Sequence, residues 1–110
     1  MKQYVIDELR PDDHLKLKGY LDANFAVPGF EDLYRLPIDR QYYTEVQESH
    51  ADCHPLYFAL ELMPERLSCE LLVRTNNRIR CDCIRYATEM QRNWLIQVLD
   101  SLFERLEIMT

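Results

Sequence analysis

Leu56-Tyr57-Phe58-Ala59-Leu60-Glu61-Leu62-Met63 is followed by Pro64-Glu65-Arg66, Leu67 to Arg74, Thr75-Asn76-Asn77 and Arg78 to Tyr86. Three alternating apolar runs separated by two turn-like triplets predict an antiparallel meander. If Glu65-Arg66 closes the first hairpin, Leu62 faces Cys69, Leu60 faces Leu71 and Phe58 faces Val73. A three-residue loop at Thr75 to Asn77 then pairs Val73 with Ile79, Leu71 with Cys81 and Cys69 with Cys83. Asn77 tolerates the left-handed conformation that such a loop needs. One sheet face is then apolar throughout, and a one-residue slip would destroy it.

Outward from this sheet, Thr88-Glu89-Met90-Gln91 has the spacing of a helix capping box. Met90, Trp94, Leu95, Val98, Leu99, Leu102, Phe103 and Leu106 recur at three- and four-residue steps behind it, a stripe wide enough to cover the apolar face. Arg10-Pro11-Asp12-Asp13 starts an earlier helix carrying Leu17, Leu21 and Phe25, which Val27-Pro28-Gly29 ends. Tyr4-Val5-Ile6 reads as a short edge strand, Leu33 to Ile38 as a strand weakened by Pro37, and Thr44 to Ser49 as a short helix capped by Thr44 and Gln47. The expectation is one α+β domain over residues 1–110: two layers, with an antiparallel three- or four-stranded meander covered on one face by the N- and C-terminal helices.

At 110 residues the chain can bury one core without disulfides or metal. Its apolar runs fall short of a membrane span and Met1-Lys2-Gln3-Tyr4 opens no signal peptide, so the expectation is a cytoplasmic protein with reduced thiols and no membrane partner. Residues 1–54 carry a net charge of −5 and residues 55–110 a net charge of −1, and all three lysines precede Gly19. That balance opposes nucleic-acid binding. The order helix, three strands, helix resembles a double-stranded RNA-binding domain in topology, but a last helix opening Thr88-Glu89-Met90 lacks that module's phosphate-binding lysines. With two glycines in the chain, neither a P-loop nor a dinucleotide fingerprint can form, and no Gly-x-Ser-x-Gly or His-Glu-x-x-His motif is present. The reading leans away from an enzyme and calls for no cofactor.

Three constellations carry chemistry. His50, Cys53 and His54 stand at i, i+3, i+4, and with Cys69, Cys81 and Cys83 they form a set of zinc-type donors. No Cys-x-x-Cys knuckle is present, and the register turns the last three thiols into the apolar face, where free cysteine is a small hydrophobe. Under oxidation, Cys69 opposite Cys83 would be a cross-strand disulfide. On the outer face, Glu61, Glu70 and Asp82 form an acidic row, read as a solvated ion-pair lattice or as oxygen ligands for Mg²⁺ or Ca²⁺. Arg74, Arg78 and Arg80 beside Tyr57 form a basic end suited to a carboxylate, a phosphate or an acidic partner surface. The function expected is a small binding, adaptor or regulatory module that meets a protein partner or a second copy of itself through this face. The alternative is a metal-dependent or thiol-based enzyme using the acidic row or the His50, Cys53, His54 cluster.

Overall fold

The computed structural model describes residues 2–75 and 81–109. In chain order they form β1 (Gln3–Ile6), α1 (Pro11–Asn24), β2 (Leu33–Pro37), α2 (Glu45–Ser49), β3 (Leu56–Met63), β4 (Arg66–Glu70), β5 (Arg74–Thr75) and α3 (Glu89–Arg105). The fold is α+β. Its antiparallel sheet runs β1-β4-β3-β2, and β5 also pairs with β3.

Local signals act where their chemistry predicts. Thr44 and Thr88 each accept from the backbone N–H three residues on, and Gln47 and Gln91 reach back to the N-cap amides, so α2 and α3 both open with complete capping boxes. Pro11 starts α1, and the buried Asp13 carboxylate accepts from the Arg10 backbone N–H at 3.1 Å. After α1, Gly29 takes φ +87° in the turn closed by Phe30 N–H to Val27 C=O, a conformation that favours glycine behind Pro28.

Two expectations about the sheet are corrected. Leu62 faces Leu67 and Leu60 faces Cys69, two residues away from the expected register, because Pro64-Glu65 makes the turn. A slip of two leaves every side chain on its original face, so the apolar face survives. The chain between Glu70 and Arg74 absorbs the offset, and Tyr57 opposite Arg74 restores the expected register. The second correction concerns the third strand. Residues 81–84 form a turn closed by Ile84 N–H to Cys81 C=O, and Tyr86 makes an isolated bridge to Leu72. β1 takes the place beside β4 instead, with Tyr4 opposite Cys69. Ile79 and the loop at Asn76-Asn77 lie outside the described residues.

Leu17 and Leu21 of α1 and Leu95, Leu99, Leu102 and Phe103 of α3 share one buried core with Phe58, Leu60, Leu62, Leu67 and Cys69 of the inner sheet face. Met90 does not join it and is 67% exposed, on the opposite side of the first turn of α3 from the fully buried Gln91.

Candidate functional site

Two short turns bring four donor atoms together. Residues 51–53 form a single 3₁₀ turn with Cys53 N–H donating to His50 C=O at 2.9 Å. Side chains three apart eclipse in such a turn, so His50 and Cys53 point the same way. In the Cys81–Ile84 turn, Cys81 and Cys83 also project to one side, towards the first pair. His50 Nδ1 lies 3.1 Å from Cys83 Sγ and 3.4 Å from Cys81 Sγ, and Cys53 Sγ lies 3.4 Å from Cys81 Sγ. All four donor atoms fall within 4.8 Å of one another. Cys53 and Cys83 are buried, Cys81 and His50 half-buried. A cleft of about 440 Å³ lined by Ser49, His50, Ala51, Asp52, Cys53 and Cys81 leads to the cluster from solvent.

A buried amide network holds this site. Gln47 Nε2 donates to Cys83 C=O at 3.1 Å, and Gln91 Nε2 donates to Gln47 Oε1 at 2.9 Å. The Cys81 thiol is drawn down to about 6, chiefly by a hydrogen bond from the Cys83 backbone N–H and then by the Cys53 side chain. Burial pushes the Cys83 thiol up to about 12. Unequal thiols are what burial of one and hydrogen bonding of the other produce.

The other donors stand apart. His54 Nε2 meets Gln47 C=O at 2.6 Å with its ring edge-on to Tyr43, so the expected trio of His50, Cys53 and His54 is not assembled. Cys69 pairs across the sheet with Leu60 and Tyr4 rather than Cys83, which removes the proposed cross-strand disulfide, and burial pushes its thiol up to about 12. Cys81 and Cys83 leave the sheet altogether. The signal for the real cluster was the pair of short spacings, His50-x-x-Cys53 and Cys81-x-Cys83, each compatible with one tight turn.

The acidic row does not form either. Glu61 stands between Leu33 and Ser68, Glu70 is opposite Gln3, and Asp82 is exposed on the 81–84 turn. Glu70 holds Arg74 through contacts of 2.8 and 3.1 Å, which keeps the guanidinium on the sheet. Tyr57 stands opposite Arg74 as expected, and its ring also receives Arg35, whose guanidinium lies 4.8 Å from the ring centroid. Arg78 and Arg80 lie outside the described residues. Protein-family models, curated proteins and solved structures give no match to this chain.

Proposed function

We propose that this chain is a small cytoplasmic binding module whose working surface is the outer face of its sheet. The observation that carries the reading is where residues 39–54 go. β2 extends the sheet edge, after which Tyr42 C=O accepts from Gln91 Nε2 and the Tyr42 ring packs 5.7 Å from Trp94. The part of the Phe30 to Ser49 segment around Tyr42, a candidate cover for the outer face, thus packs with α3, whose Trp94 stacks on Phe58 of the inner face. Val5 (43% exposed), Leu33 (38%) and Pro37 are left open, with Tyr57, Ala59 and Met63 half-buried among them. A solvated antiparallel face ordinarily alternates to polar residues, so this mixture suits a surface that another protein, or a second copy, covers. Arg35 beside Ala59, Arg66 beside Met63 and Glu61 between Leu33 and Ser68 supply polar contacts within it, and the net charge of −6 argues against nucleic acid as the partner.

The test is a double variant, Leu33→Arg with Val5→Lys, in the row Leu33, Glu61, Ser68, Val5. Arginine at position 33 gains a cross-strand partner in Glu61, and exposed changes usually move stability by no more than about 0.5 kcal/mol. The variant is expected to fold while losing self-association by light scattering or the partner recovered by crosslinking in native cells. An unchanged mass and an unchanged set of crosslinked proteins would defeat the reading.

The alternative, a metal-dependent or thiol-based enzyme, draws support from the thiol–imidazole cluster. A tetrahedral ion held by four protein donors keeps no open position for substrate, which favours structural over catalytic use.

A further inference from the structure

We infer that His50 Nδ1 and the Sγ atoms of Cys53, Cys81 and Cys83 form a structural Zn²⁺ site that ties the 50–53 turn to the 81–84 turn. The inference is independent of what the outer face binds.

Donor chemistry selects the metal. Three thiolates and one imidazole suit zinc and oppose Mg²⁺ or Ca²⁺, which take oxygen ligands. The separations agree. With Zn–S near 2.3 Å and Zn–N near 2.0 Å, neighbouring donors of a tetrahedral site stand about 3.5–3.8 Å apart. The three shortest, 3.1, 3.4 and 3.4 Å, need adjustments of a few tenths of an ångström, and the widest, up to 4.8 Å, closes by about 1 Å when the two turns draw in on the ion. The four donors come from two turns about thirty residues apart, and their convergence does not follow from either turn alone. Cys53 and Cys83 belong to the buried core with Cys81 packed against it, and a shared cation would in addition satisfy all four donors.

The surroundings of the cluster also fit. Gln47 and Gln91 are fully buried, and the Gln47 amide fixes the Cys83 carbonyl, the role of an outer group that holds a ligand in position. The 440 Å³ cleft beside His50 and Cys81 supplies a route of entry. On binding, the protons of whichever thiols are protonated pass to water, and no sulfur changes oxidation state.

The experiment measures zinc in the protein as purified, then follows Co²⁺ uptake by the metal-free chain. One zinc per chain is expected, as are the visible bands of tetrahedral Co²⁺ with a near-ultraviolet thiolate band. His50→Ala alters a half-buried ligand and so keeps the test open if a buried cysteine variant fails to fold. It should weaken Co²⁺ binding by more than the roughly 10- to 100-fold typical of losing an outer supporting group. Cys69→Ala, whose sulfur lies outside the cluster, should bind as the wild type does. A folded wild-type chain with four titratable thiols and no Co²⁺ bands would overturn the inference. So would a Cys53–Cys81 disulfide in protein purified without oxidant, or equal affinity in His50→Ala.

Discussion

Gln47 and Gln91, each the third residue of a different helix, meet at 2.9 Å with both side chains fully buried. Each amide oxygen closes its own capping box, and the amide groups go on to Cys83 C=O, Tyr42 C=O and one another. One pair of side chains thus joins the starts of α2 and α3 to the turn that carries Cys83.

Because the pair is buried and shares a hydrogen bond, Gln47→Ala or Gln91→Ala should each cost about 2–4 kcal/mol, the sum of lost bonds and partners left unpaired. The double variant should cost less than the sum of the singles, by about 1 kcal/mol or more. Urea denaturation of the four proteins measures this. Strict additivity would show that the two amides act independently.

Leu99 and Met90 belong to one sequence stripe and differ in surroundings. Leu99→Ala should cost about 2–5 kcal/mol, as for a buried leucine. Met90→Ala should stay within about 0.5 kcal/mol. Equal costs in thermal or urea unfolding would contradict the packing described for α3.

α3 ends in a Schellman arrangement: Glu107 N–H donates to Glu104 C=O, Ile108 N–H donates to Phe103 C=O, and Glu107 holds φ +58°. Left-handed backbone costs a side-chain-bearing residue about 1–2 kcal/mol, a penalty that glycine avoids. Glu107→Gly is therefore expected to raise stability by up to about 1 kcal/mol, once the larger unfolded-state entropy of glycine is counted. A lower unfolding midpoint would refute this.

Tyr34 is buried, and its hydroxyl donates to Asp22 Oδ1 at 2.6 Å. Burial first, then the Asp22 carboxylate, raises its pKa well above the ordinary tyrosine value of about 10. The neutral phenol is favoured in the fold, so its contribution is intact below pH about 10 and is lost as pH climbs towards the raised folded value. Tyr34→Phe should cost about 1 kcal/mol near neutrality, modest because Asp22 is half exposed. The gap between wild type and variant should shrink above pH about 10. A constant gap in urea midpoints across that range would exclude the linkage.

What the sequence determined by itself was local or had period two. Thr44 with Gln47, Thr88 with Gln91, Pro11 and Gly29 act within a few residues, and each is found where the pattern indicated. Leu56–Met63 is a strand with the expected faces because alternation survives any even shift of register. Tertiary structure decided which strand lies beside β4. Tyr4-Val5-Ile6 and the 81–86 run both offered apolar residues, and pairing between distant segments leaves no mark at short range. The same ambiguity governed the site. Cys81-x-Cys83 presents two thiols to one side in a strand and in this tight turn alike, so only the path of the chain could bring them to His50 and Cys53 rather than into the sheet core.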